Sequence, residues 1–275
     1  MTYPRVSILM YHALVEQAAP YMAPVHIEQA RFAEQMAWLA ASGLPVLPLR
    51  EALATLRRPG GASPVVALTF DDGYHSLYTH ARPLLAQHGF AATLFLTTGA
   101  VGQPSYAGEP PGFARSAPRG DRPLTWPELR TLAAAGWAIE AHGASHRPLA
   151  GLAPAELTHE LTQSRAAIAR HLGQAATYYA FPYGSYDRRT LRALAGAGYA
   201  AGFSVHTGPA TPASDGRRLP RLEVTAGCDL ATFRRLVRTG YVSPGACYRA
   251  RLRNWAYRVP AVHDALLAAS GRWPG

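Results

Sequence analysis

Lysine is absent from this 275-residue chain, so all 27 of its Lys-plus-Arg positions are arginine. A genome that favours arginine codons is the simplest source of that choice. Cysteine is nearly absent too: Cys228 and Cys247 are the only two, which excludes a disulfide scaffold and a cysteine-based zinc site. Two unpaired thiols are expected, with a single bridge as the alternative. Long apolar runs are missing; the longest, such as Val65–Phe70 and Trp137–Ala141, fall far short of a bilayer span. Charged residues are only 16% and apolar residues 48%, which excludes a disordered chain and fits one substantial core. The N-terminal residues lack the pattern of a secretory signal, since their apolar stretch is short and runs into Tyr11 and His12. The expected location is therefore the cytoplasm or a membrane surface, or the periplasm or exterior if a leader has been removed.

What charge there is lies unevenly. From Arg217 onward there are eleven arginines against Glu223, Asp229 and Asp264, so about eight of the ten net positive charges sit in the last fifth. Such a region would attract an anionic partner, namely a phospholipid surface, a lipid-linked phosphosugar or nucleic acid. No interleaved stacking aromatics and no nucleic-acid motif accompany it, which places nucleic acid last.

Short apolar strands alternate with amphipathic helices through most of the chain. Strands are expected at Val6–Tyr11, Pro45–Leu49, Val65–Phe70, Ala91–Thr97, Trp137–Ala141, Thr177–Phe181, Tyr199–Val205 and Leu219–Val224. Helices are expected at Ile27–Ser42, Arg50–Arg57, Leu77–His88, Trp126–Ala135, Pro154–Leu172, Arg188–Ala197 and Leu230–Arg238. Gly99–Pro123 interrupts the rhythm and reads as a functional surface loop. Regular alternation implies a parallel sheet, and seven or eight units in one domain favour a closed or nearly closed α/β barrel. The barrel is assigned to residues 1–240, and residues 241–275 form a basic tail of uncertain structure.

The unusual polar residues share one location. Asp71 and Asp72, His142 and His146, Tyr183 and Gly184, His206, and His12 all follow the C-terminal ends of expected strands. In a parallel barrel those ends lie on one face, where catalytic groups collect. His142 and His146 have ligand-like spacing if they occupy a helical turn. Alone the pair is weak evidence, because eleven histidines produce such spacings by chance. Two adjacent carboxylates at a strand end repel unless a cation or hydrogen bonds offset them. A turn at Asp72-Gly73 leading into the next helix is their plain alternative. One Asp and two His would hold a metal and leave a position open for water.

Thr69-Phe70-Asp71-Asp72-Gly73, His142-x-x-x-His146 and Phe181-Pro182-Tyr183-Gly184 resemble, in order, the motifs of NodB-type polysaccharide deacetylases, carbohydrate esterase family four. Leu9-Met10-Tyr11-His12 and Leu219-Pro220-Arg221-Leu222-Glu223-Val224 are similar to the poly-N-acetylglucosamine deacetylase branch. The resemblance implies a distorted (β/α)7-8 barrel in a single domain and hydrolysis of N-acetyl groups on an N-acetylated carbohydrate. It implies a divalent metal on Asp72, His142 and His146, zinc first, with Co2+, Ni2+ or Fe2+ as alternatives. Asp71 would be the general base, His12 the general acid with His206 its rival, and the Tyr183 backbone N–H an oxyanion donor. The chain departs from the family where an arginine ahead of Pro-Tyr-Gly orients the base, since Ala180 and Phe181 stand there. Arg221 is a candidate substitute, with a packing role as its alternative.

Pro182, Gly184, His206, Arg221 and Trp126 are candidate substrate contacts, and Tyr74, His75, Tyr106 and Tyr186 candidate sugar-facing side chains. Two further functions compete: a membrane-surface deacylase of a lipid-linked aminosugar, and an inactive carbohydrate-binding relative.

Overall fold

The computed structural model describes residues 4–17, 26–57, 64–106, 118, 120–243 and 245. Its strands are β1 (Val6–Tyr11), β2 (Leu14–Val15), β3 (Ile27–Glu28), β4 (Val65–Asp72), β5 (Thr93–Leu96), β6 (Ala138–Ala141), β7 (Tyr178–Ala180), β8 (Ala201–Thr207) and β9 (Leu219–Glu223). β2 and β3 form a small parallel pair; the other seven close into a barrel in the order β1-β4-β5-β6-β7-β8-β9. Closure runs through Leu9↔Leu222 and Met10↔Glu223, and every pairing around the ring is parallel. The helices are α1 (Gln29–Ala41), α2 (Leu49–Thr55), α3 (Arg82–Gln87), α4 (Trp126–Ala134), α5 (Pro154–Leu172), α6 (Arg188–Gly196) and α7 (Leu230–Thr239).

Strand alternation divides the core into two layers. Val6 and Ile8 of β1, Val65 and Ala67 of β4, Phe95, Ala180, Phe203 and Leu219 pack together as the barrel interior. Leu49 and Ala52 of α2 join this cluster and plug the end where the strands begin. The intervening residues, among them Leu9, Tyr11, Leu68, Phe70, Leu94, Leu96 and Tyr179, face outward and pack under the helices. All eight residues of β4 are buried, which is why its sequence is nearly continuous in apolar residues up to the two aspartates.

Three expected elements differ for local reasons. The expected strand at Pro45–Leu49 reduces to a bridge between Val46 and Val66, because Pro45 and Pro48 can donate nothing to a ladder. The helix expected at Ile27 starts two residues later, after Ile27 and Glu28 pair with β2. The helix expected at Leu77–His88 opens with a π-helical turn, Leu77–Ala81, in which the Arg82 N–H reaches back to the Leu77 carbonyl. Pro83 has no N–H for the Thr79 carbonyl, and the wider turn absorbs that gap. The expected tail, apart from residues 241–243 and Gly245, lies outside the described residues, as does Cys247; Cys228 is buried.

Candidate metal centre

The same alternation that fills the barrel with Val65 and Ala67 brings Thr69 and then Asp71 to the interior at the mouth. On β6, Ile139 and Ala141 face outward, so Glu140 and His142 point into the barrel. On β9, Leu219 is interior and Leu222 exterior, which sends Arg221 inward as well. A regular strand would turn Asp72 away from Asp71. Asp72 instead has φ +76, a left-handed backbone that breaks the alternation and lets adjacent carboxylates share one site.

His146 (φ +53) and Tyr183 (φ +56) adopt the same unusual conformation, and with Asp72 they are the only non-glycine positive-φ residues described. Each costs about 1–3 kcal/mol, and such strain gathers where geometry matters more than stability. All three belong to the site. The His142–His146 segment is a loop, not the helical turn that its spacing suggested; Gly143 (φ +91) and His146 bend it so that both rings converge.

Asp72, His142 and His146 are all buried, and their ligand atoms lie within 4.8 Å of one another. His142 Nδ1 donates to the Ala180 carbonyl at 2.9 Å, which leaves the lone pair of Nε2 facing Asp72 Oδ1 at 3.4 Å. Burial, against the pull of Asp71 and Asp72, lowers the His142 pKa to about 4, so the ring is neutral at pH 7. Asp72 Oδ1 is buried, and His146 Nε2 approaches it at 3.1 Å. The three side chains thus gather potential ligand atoms in one buried spot, with the His142 Nε2 lone pair turned toward it. One carboxylate and two imidazoles therefore fit a divalent metal, and suit zinc among others.

Beside these ligands Asp71 makes a bidentate ion pair with Arg221, Nη1 to Oδ1 at 2.6 Å and Nη2 to Oδ2 at 2.7 Å. Arg221 is 1% exposed, donates Nε to the Ser204 carbonyl, and lies over the Phe95 ring. Burial alone would raise the Asp71 pKa, but Arg221, His142 and His12 together bring it below the ordinary carboxylate range. Asp72 is also brought below that range, its burial outweighed by His146, His12 and His142. His12 is half-buried, and its Nδ1 is buried without a hydrogen bond. The Tyr183 ring packs edge-on against His146 at 4.6 Å; burial and the nearby Asp72 push its hydroxyl pKa up to about 12.

Several candidate substrate contacts are engaged elsewhere. Arg221 directs its guanidinium to Asp71, the contact expected of a substitute for the missing family arginine. Trp126 stacks face to face on His171, in the last turn of α5, with ring centroids 4.0 Å apart. His206 Nε2 lies 2.6 Å from the Tyr186 hydroxyl. Tyr74, Tyr106 and Tyr186 are at most 3% exposed and pack in the outer core, and His75 pairs with Glu128. Pro182 and Gly184 flank Tyr183 in a tight turn; a Cβ on Gly184 would come within 2.3 Å of Val205. The far end of the Gly99–Pro123 loop is stitched to the turn after Asp72, with Leu124 N–H on the Gly73 carbonyl and His75 N–H on the Arg122 carbonyl.

Residues 59–202 match the family model described as polysaccharide deacetylase. The YxkH protein of Bacillus subtilis (strain 168) is 27% identical over 230 residues, 83% of this chain and 75% of its own. A poly-beta-1,6-N-acetyl-D-glucosamine N-deacetylase of Staphylococcus aureus (strain MSSA476) is 24% identical, over 72% of this chain and 68% of its own. Among solved structures, the Streptococcus pyogenes deacetylase PplD, in complex with acetate, aligns with a TM-score of 0.74 at 25% identity, covering 88% of this chain and all of that one. IcaB from Ammonifex degensii shares the fold, with a TM-score of 0.68 at 21% identity over 87% of this chain and 99% of that one.

Proposed function

This chain belongs to the polysaccharide deacetylase family, and we propose that it is a metal-dependent hydrolase that removes N-acetyl groups from N-acetylhexosamine units of a poly- or oligosaccharide. The observation that carries this reading is the juxtaposition, inside one barrel mouth, of three converging metal-ligand atoms and an ionised carboxylate backed by a buried arginine. A relative that acts on poly-beta-1,6-N-acetyl-D-glucosamine supports the choice of sugar.

A divalent metal held by Asp72, His142 and His146 would supply Lewis acidity toward the amide carbonyl and the attacking water. Asp71 takes the proton of that water as general base. Oδ2 is the oxygen suited to this, since it lies 3.9 Å from His142 Nε2. Arg221 serves the base in two ways: it keeps the carboxylate ionised at neutral pH, and its planar fork fixes the carboxylate's orientation. The Tyr183 backbone N–H stabilises the tetrahedral oxyanion, in a turn where the left-handed residue and Gly184 set the backbone direction. His12 protonates the departing amine; its position directly after β1, at the same end of the barrel as Asp71 and Asp72, supports this role.

The reading is tested by following amine release from N-acetylglucosamine oligomers with and without a chelator, together with metal analysis. Wild type should contain one divalent ion per chain and lose turnover on chelation, and His142→Ala should lose both ion and turnover. Turnover unaffected by complete metal removal would reject it.

A further inference from the structure

The loop that carries His146 has no regular backbone structure of its own, yet its central polar groups are taken up by groups from elsewhere in the chain. On one side, the Thr98 and Gly99 N–H groups donate to the Gly143 and Ala144 carbonyls at 3.1 and 2.7 Å. On the other side stands Glu160, from the middle of α5, a carboxylate only 2% exposed. Its Oε2 accepts the consecutive N–H groups of Ala144 and Ser145 at 2.8 and 3.0 Å, and its Oε1 accepts the Ser145 hydroxyl. No ion pair to Glu160 exists among the described residues. Its two oxygens are met by the loop.

Two successive N–H groups after a positive-φ glycine form a small anion-binding concavity, and here a side-chain carboxylate fills it. The fit is close on both sides. A Cβ at Gly143 would approach Glu160 Oε2 to 3.0 Å, and one at Gly99 would meet the Ala144 carbonyl at 2.4 Å. The residue directly after this clamp is His146, held at φ +53. A non-glycine residue keeps that conformation only when its surroundings over-determine it. Nothing in the proposed chemistry requires a buried carboxylate at position 160, and helix packing alone would be better served by an apolar side chain.

We propose that Glu160 is a positioning residue for the metal centre: its carboxylate holds the Ala144–Ser145 turn so that strained His146 is pre-set to ligate. This rests on the reading of Asp72, His142 and His146 as the metal site. Support of this kind outside the ligand set typically contributes 10–100-fold in metal affinity.

The test is Co2+ binding to the metal-stripped full chain, followed by chelator competition and by the visible absorption of the bound ion, which reports ligand number and geometry. Glu160→Ala should bind Co2+ about 10–100-fold more weakly than wild type and with an altered spectrum. Glu160→Gln, which can still accept both N–H groups, should stay within about threefold of wild type, and Ser145→Ala should lose about threefold or more. That rescue by glutamine separates positioning from bulk packing, and Ser145→Ala, with α5 intact, carries the test if Glu160→Ala does not fold. Wild-type affinity and spectrum in Glu160→Ala, or in Ser145→Ala when that variant stands in, would overturn the proposal while leaving the metal site standing. Failure of the wild-type chain to take up Co2+ would instead overturn the metal site, and this inference with it.

Discussion

Two buried carboxylates in the barrel interior show how its ends differ. Asp71, at the mouth, meets Arg221 through two short hydrogen bonds and is held below the ordinary carboxylate range. Glu140, on β6, lies two residues before His142, and its Oε2 accepts the Thr177 and Tyr178 N–H groups at 2.6 and 2.7 Å. There burial outweighs those hydrogen bonds and the more distant Arg50, and raises its pKa to about 7. Both side chains are interior and nearly inaccessible, at 2% and 6% exposure. The partner, not the depth, decides the charge. Asp71 keeps a negative charge at the mouth, where the proposed base would need one, whereas Glu140 links the start of β7 to β6 and can do so as a neutral acid.

This contrast can be broken from either end. The largest expected effect is Asp71→Asn, which should lower turnover about 10²–10⁴-fold while the metal is retained, because a general base contributes on that scale. Full turnover in this variant would remove Asp71 as the base. Next, Arg221→Met should cost about 3–5 kcal/mol in urea denaturation, since it leaves a buried carboxylate unpaired, and should move the acid limb of the rate profile to higher pH. The double variant Asp71→Leu/Arg221→Met should recover much of that stability and none of the turnover. An acid limb that stays in place in Arg221→Met would show that Arg221 does not set the charge of Asp71.

Glu140 gives the opposite signature. Its folded pKa is raised, so its contribution to stability is fully present below about pH 4.5 and is lost as pH rises through about 7. Glu140→Gln should match wild type near pH 4 and exceed it by roughly 3 kcal/mol at pH 8, with turnover unchanged. An equal difference at both values would show that the carboxylate is ionised throughout. The smallest effect belongs to Tyr183→Phe, which keeps the backbone N–H proposed as the oxyanion donor; kcat should fall by less than about threefold, within one ordinary hydrogen bond.

Much of this arrangement is legible in the sequence. The period-2 and period-3.6 patterns located the barrel strands, and Asp71, Asp72, His142, His146 and His12 stood out because each follows a strand end. Boundaries failed where proline intervened, at Pro45, Pro48 and Pro83, since a missing donor alters pairing without altering hydrophobicity. For Trp126 the sequence cannot show which aromatics already have partners; the fold stacks it on His171, 45 positions away in sequence. Glu160 gave no signal as a loop brace, being one of the acidic residues on an amphipathic helix until the fold brings it to Ala144 and Ser145.

The sequence by itself determined the parallel barrel and the chemical types gathered at its mouth, because hydrophobic period and residue identity are local properties of the chain. Tertiary structure alone decided how they work together. Arg221 meets Asp71 across 150 positions because β9 closes the ring against β1. Asp72, His146 and Tyr183 keep their left-handed backbones only because long-range packing and hydrogen bonds offset a strain that their local sequence would otherwise relax.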